Sequence, residues 1–100
     1  MASDAATARI ELAATCDIAG AIALHGELLE KLAAGTPTLL DASGVAEPST
    51  ALVQVVESAA AAFASRDLRF GLYNPSDALC IAYEDMGLYG ALMGRIAMEI

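Results

Sequence analysis

The 100-residue sequence holds no tryptophan, one histidine, two cysteines, three prolines and five basic residues against thirteen acidic ones. Each scarcity excludes something. A net charge of −8 leaves no basic patch from which phosphate binding could release counterions, so no nucleic-acid partner is expected. The acidic balance reads first as solubility, and in the sharper alternative as steering toward a basic protein partner. Cys16 and Cys80 stand far apart, with no C-x-x-C and no metal-ligand spacing, and read as buried small thiols. His25, with no second histidine or nearby cysteine, makes no metal site. Gly, Glu, Asp or Arg interrupts every apolar run well before the ~18 residues a membrane helix needs, so no direct membrane insertion is expected. No basic region precedes an apolar run at the N-terminus, so no secretory signal is read and a cytoplasmic location is expected.

What the sequence has in quantity is apolar residues, 57% of the chain, many of them alanine. That composition suits one domain over 1–100 with a tight, small-residue core. The pattern is clearest from Leu39 to Phe63. Thr38-Leu39-Leu40 is a short apolar run and Asp41-Ala42-Ser43-Gly44 is turn chemistry. Pro48 disfavours helix just before it. From Thr50 the residues Leu52, Val53, Val56, Ala60 and Phe63 share one helical stripe. Ser49 or Thr50 then falls at the helix N-terminus, where a hydroxyl satisfies an unpaired N–H.

The rest of the chain alternates in the same way. Met1 to Ala8 is small and polar and reads as a flexible lead-in. Arg9 to Ala14 alternates as a half-solvated strand. Asp17 is a natural N-cap for a helix whose apolar face is Ile18, Ile22, Leu28, Leu29 and Leu32, ending at Gly35 before Pro37. A strand over Thr38–Asp41 and a helix over about Thr50–Ser65 follow. Leu68, Phe70 and Leu72 alternate with Arg69, Gly71 and Tyr73 as a third strand. Asn74-Pro75-Ser76 is a turn with Ser76 as N-cap. Leu79, Ala82, Tyr83 and Met86 form a third amphipathic helix ended by Gly87, and Tyr89 to Met98 a short last one. The order β-α-β-α-β-α predicts an α/β fold with a small parallel-rich mixed sheet and helices packed against it. An exposed sheet edge would invite pairing with a second copy, hence a homodimer.

The segment Leu40-Asp41-Ala42-Ser43-Gly44-Val45, followed by Ser49-Thr50-Ala51-Leu52, resembles the central motif of STAS domains, the anti-sigma-factor antagonists and their relatives. Their pattern is Leu-Asp-Leu-Ser-Gly-Val, a short loop, then Asp-Ser-Ser-Gly-Leu or Asp-Thr-Ala-Gly-Leu. Here Ser49 stands for the Asp and Leu52 for the Gly. The Ser-Thr-Ala-x-x-Gln form is similar to variants found beside chemotaxis genes, and Thr-Ala forms occur in lipid-transport ABC complexes. The likeness continues through Phe70–Ser76 to Met86-Gly87-Leu88, from about Arg9 to Leu88. It implies a STAS-like fold with further N-terminal strands, for which this chain has little room, so a smaller or open-edged sheet is expected. It also implies a non-catalytic bacterial regulator that binds a serine-kinase-like anti-sigma factor or a chemotaxis-linked signalling protein, or, as the alternative, a cytosolic subunit of a lipid transporter.

No catalytic constellation stands out and no cofactor is implied. Asp41 at a strand end fits the cap of the following turn better than an active-site acid. The hydroxyls of Ser43, Ser49 and Thr50, read alone, cap turns and the helix. In the resembling antagonists the second hydroxyl of Asp-Ser-Ser-Gly is phosphorylated, and that position is Ala51 here. The resemblance therefore makes Thr50 the phosphorylation candidate, with Ser49 second. Loops after parallel strands converge at one end of the sheet, so the expected partner surface combines Ser43, Gly44, Glu47, Pro48, Ser49, Thr50 and Gln54 with Asn74 and Ser76.

Overall fold

The computed structural model describes residues 7–96. Its elements run β1 (Ala8–Glu11), α1 (Ile18–Ala33), β2 (Thr38–Asp41), α2 (Thr50–Ala64), β3 (Phe70–Tyr73), α3 (Asp77–Asp85) and α4 (Tyr89–Arg95). The three strands form one sheet in the order β1-β2-β3, and both pairings are parallel. This is the α/β architecture that alternating strands and helices require. The expected flexible lead-in over 1–6 and the expected last-helix residues Ala97 and Met98 lie outside the described residues. Ala8, assigned to that lead-in, instead opens β1 opposite Thr38.

The central strand explains the core. Thr38, Leu39 and Leu40 are all buried, as expected of a strand covered on both faces. Ile10, Leu40 and Leu72 lie in register across the three strands. They join Leu24 and Leu28 of α1 and Leu52, Val53, Val56 and Phe63 of α2 in one apolar cluster. Buried Thr38 satisfies its hydroxyl by donating to the Thr36 carbonyl at 3.0 Å. Phe63 and Phe70 stack at 5.0 Å between ring centroids, tilted by 33°.

The helix boundaries are chemically marked. Asp17 accepts from the Gly20 N–H at 2.9 Å, Ser49 from Leu52 at 3.1 Å and Ser76 from Leu79 at 3.2 Å. All three start their helices as side-chain N-caps. At the other end, α1 stops in a Schellman motif: Thr36 N–H reaches the Lys31 carbonyl and Gly35 N–H the Leu32 carbonyl. Gly87 closes α3 with the same pair of bonds, and both glycines take positive φ. Asp67 fills the equivalent place after α2 at φ 54°, where a Cβ is strained.

Besides the early start of β1 and the end of α4, which stops at Arg95 rather than running on because Ile96 is extended and bridges to Leu72, two strand boundaries and one helix face differ from the sequence expectation. β1 ends at Glu11 rather than Ala14, because its partner β2 ends at Asp41. β3 begins at Phe70 rather than Leu68, because Leu68 N–H is bound to the Phe63 carbonyl in the helix-terminating turn. The third difference is the face of α1. Ala21, Leu24 and Leu28 are buried, whereas Ile18, Ile22 and Leu29 are 67%, 67% and 51% exposed. Apolar residues cover more than half of this helix's circumference, and the small Ala21, 1% exposed, marks the side buried against the rest of the fold.

Among the described residues nothing pairs with the outer edge of β1. The outer edge of β3 meets Ile96 through a parallel bridge to Leu72. Glu57 of α2 joins the C-terminal helices to the body. It pairs with Arg95 at 3.0 Å through the terminal nitrogen and accepts from the Tyr83 hydroxyl at 2.9 Å. Tyr83 is fully buried, and burial together with Glu57 pushes its phenol far above the usual tyrosine range.

Candidate functional site

Parallel pairing sends β1, β2 and β3 out of the sheet at the same end, and the three following segments meet there. Backbone bonds tie the first two: Ala46 and Glu47 N–H both donate to the Ala14 carbonyl at 2.8 Å, and Cys16 N–H to the Glu47 carbonyl at 3.0 Å. The Thr15 hydroxyl donates to the Glu47 carboxylate at 2.8 Å. The second and third segments are tied by Ser76. Its N–H donates to the Ala42 carbonyl at 3.1 Å and its hydroxyl to the Val45 carbonyl at 2.6 Å.

Within this frame, Asp41 is the cap of its own turn. One carboxylate oxygen accepts from the Ser43 hydroxyl at 2.7 Å and from Ser43 N–H at 3.0 Å, and the other from the Tyr73 hydroxyl at 3.3 Å. Hydrogen bonding to the charged form, led by the Ser43 hydroxyl, holds its pKa below the ordinary carboxylate value. A carboxylate so held is an acceptor and a poor general acid. Among the described residues no group of three or more His, Cys, Asp or Glu side chains converges as a metal site. The Cys16 thiol is buried in the first of these segments. Burial, with the Asp17 charge beside it, pushes its pKa up and leaves it a weak nucleophile. Cys80, expected to be buried, is only half-buried, because the buried stripe of α3 runs through Leu79 and Tyr83.

The surface at this end mixes residues that hold the loops together with residues that carry no such task. Ser43, Gly44, Glu47, Thr50, Gln54 and Asn74 are exposed, and Pro48, Ser49 and Ser76 are half-buried. Ser49 spends its hydroxyl on the N-cap of α2. Thr50, the first residue of that helix, is exposed. Asn74 takes φ 54°, the left-handed turn that leads β3 into α3. Val45, between Gly44 and Glu47, is buried at 2% exposure and anchors the loop from inside.

Sequence reasoning missed two contributors. Thr15 belongs to this end because the β1–α1 segment bonds Glu47, and the Asp17 cap signal two residues on was its only local trace. Tyr73 follows the strand alternation with no sign of a partner in sequence, since its bond to Asp41 depends on the β2–β3 register, which no local pattern encodes.

The comparisons with known proteins point one way. The family model described as "Mlab, STAS domain" matches residues 1–94. No curated protein matches the chain.

Proposed function

Since the chain belongs to the STAS domain family, whose members generally mediate protein–protein interactions and are generally non-catalytic, we propose that it is a cytosolic regulatory binding module of the anti-sigma-factor-antagonist or chemotaxis-linked kind, switched by phosphorylation of Thr50. The carrying observation is the division of labour at the start of α2. Ser49 caps the helix with a half-buried hydroxyl, which leaves the exposed Thr50 as the accessible one. A phosphate there adds about −1.5 to −2 charges and faces the N-terminal amides and positive dipole end of α2. The fold tolerates it, while the surface offered to a partner becomes bulky and anionic. Asp17, Asp41, Glu47 and Asp77 lie in the segments at this end of the sheet, which favours a basic partner surface.

The partner is a protein, either a serine-kinase-like anti-sigma factor or a chemotaxis-linked signalling protein. It meets Ser43, Gly44, Glu47, Pro48, Thr50, Gln54 and Asn74, with Ser49 and Ser76 supporting them. A second reading, a cytosolic STAS subunit of a lipid-transport ABC complex, is favoured by the Thr50-Ala51 pair, the form that the resembling transporter subunits carry. An ATPase of transporter type that copurifies with the chain supports the second reading. A kinase-like ATPase or receptor-linked protein supports the first.

Calorimetric titration of the copurifying partner tests the switch. Thr50→Glu weakens binding by about tenfold or more, ~1.4 kcal/mol, with little change in thermal stability because an acid is tolerated at a helix start. Thr50→Ala binds nearly as the unmodified protein does. Equal affinities for all three folded proteins reduce Thr50 to a helix-start residue and remove the switch.

A further inference from the structure

α1 and α2 both start at the end of the sheet that carries the candidate site, and their first turns leave a gap. A hollow of about 250 Å³ opens there, lined by Ile18, Ile22 and His25 from α1 and by Ala51, Gln54 and Val55 from α2. Among the described residues no carboxylate, lysine or arginine lines it. Ile18 and Ile22 stand at its rim, each 67% exposed.

Two observations indicate what covers it. The hollow is continuous with the candidate site. Gln54 lines it and lies one helical turn after Thr50 on the same side of α2. Just ahead of the two helix starts, the Thr15–Glu47 bond and the bond from Cys16 N–H to the Glu47 carbonyl tie the leading segments together. The second observation is the placement of charge. Asp17, Asp41, Glu47 and Asp77 occupy the three segments that lead from strands to helices, and no basic residue does. Lys31, Arg66 and Arg69 gather at the opposite end, where α1 and α2 stop and β3 is about to begin, and Arg95 pairs with Glu57. The apolar hollow therefore opens beside the acidic pole of the chain. A second copy would bring the same acids to this end again, whereas a basic partner meets them with opposite charge.

We propose that this hollow is the apolar anchor site for the protein partner, and that it receives an amphipathic helix whose apolar row is flanked by lysine or arginine. This rests on the reading of the chain as a protein-binding module and does not depend on the Thr50 switch. Apolar side chains at i, i+3, i+4 and i+7 of such a helix enter between the first turns of α1 and α2. The basic residues beside them face the exposed Asp17 and Glu47. The two parts divide the work. The acids set the encounter rate and its salt dependence, and the buried apolar anchor sets how long the complex lasts.

Amide-resolved titration of the full chain tests it. The probe is a synthetic peptide of about 14 residues, four helical turns, with leucine at i, i+3, i+4 and i+7 spacing and lysine elsewhere. Its twin carries glutamate in place of lysine. The lysine peptide should shift Ile18, Ile22, Ala51, Gln54 and Val55, bind at least about tenfold more tightly than its twin, and lose affinity between ~0.05 and ~0.5 M salt. Ile22→Gln, at an exposed position, should weaken it about fivefold or more while keeping the wild-type circular dichroism. Ile81→Gln, at a 55% exposed position on α3, should leave it unchanged. No shifts at the hollow with about 1 mM peptide, equal binding of the two peptides, or equal losses in the two variants overturn the proposal. Shifts at the hollow that appear on concentrating the protein alone assign it to a second copy and overturn the proposal as well. In calorimetric titration of the copurifying partner, Ile22→Gln should weaken binding as Thr50→Glu does. A loss in Thr50→Glu alone keeps the switch and removes the anchor site; a loss in Ile22→Gln alone keeps the anchor site and removes the switch.

Discussion

Replacing Ser76 with alanine removes one oxygen that performs two tasks. It accepts from Leu79 N–H at 3.2 Å to start α3, and it donates to the Val45 carbonyl at 2.6 Å to hold the β2–α2 loop against the β3–α3 turn. Loss of a serine N-cap costs about 1 kcal/mol. Leaving the Val45 carbonyl without its partner costs about 1 kcal/mol more, so Ser76→Ala should lower stability by about 2 kcal/mol. For a chain of this size that is a melting point lower by roughly 8–16 °C, or a urea midpoint lower by roughly 1–2 M. Two companion variants separate the tasks. Ser49→Ala removes only a cap and should cost about 1 kcal/mol. Ser76→Asp keeps a good capping oxygen but cannot donate to Val45 when ionised, and it too should cost about 1 kcal/mol. Urea unfolding followed by circular dichroism reads all three. If Ser76→Ala and Ser49→Ala agree within about 0.5 kcal/mol while Ser76→Asp matches wild type, the Ser76–Val45 bond does not hold the loops together and the reasoning fails.

Glu57→Ala should destabilise more than Arg95→Ala, by about 2–3 against about 1 kcal/mol, because it leaves the buried Tyr83 hydroxyl without an acceptor while Arg95 is partly solvated; equal losses in thermal melts would count against this. For pH, Asp41 has a folded-state pKa below its ordinary 3.8, so its contribution is present above that value and is lost as pH falls through the lower folded one. Ser43→Ala removes the leading cause of that depression. It should be less stable than wild type near neutrality, with the gap closing once both proteins are protonated at Asp41; a gap independent of pH refutes the assignment. Asp67→Gly relieves a strained positive φ and removes a negative charge near the C-terminal end of α2, and should raise stability by up to about 1 kcal/mol in urea unfolding.

Local chemistry made much of the fold legible. β2 runs over Thr38–Asp41 as its short apolar run and following turn residues require, and Asp17 and Ser76 cap α1 and α3 where hydroxyl or carboxylate precedes an apolar period. The glycines at 35 and 87 mark helix ends because the Schellman bonds need positive φ there. What stayed hidden depends on partners distant in sequence. The α1 face could not be chosen by periodicity, since Ile18, Ile22 and Leu29 are as apolar as Leu24 and Leu28 and only packing separates them. The Tyr83–Glu57–Arg95 cluster joins three helices and has no local signal. At the candidate site, parallel topology was enough to bring the three loops together, but it did not separate Ser49, engaged in capping, from the exposed Thr50.

The parallel sheet also shapes how the chain reaches its native state. Ala8 pairs with Thr38, and Thr38 with Phe70, so the first bond of each pairing closes a loop of about thirty residues, and among the described residues no hairpin is available to nucleate the sheet. Closing such a loop costs about 3 kcal/mol of chain entropy by the logarithmic scaling. Two closures of that kind must succeed, and both end on β2. Helix α1 or α2 must already hold part of its intervening segment compact, which makes the capping residues of these helices kinetic as well as thermodynamic elements. The search for the native topology is thus a search for the two edges of a single four-residue strand, slower than that of an all-helical chain of equal length.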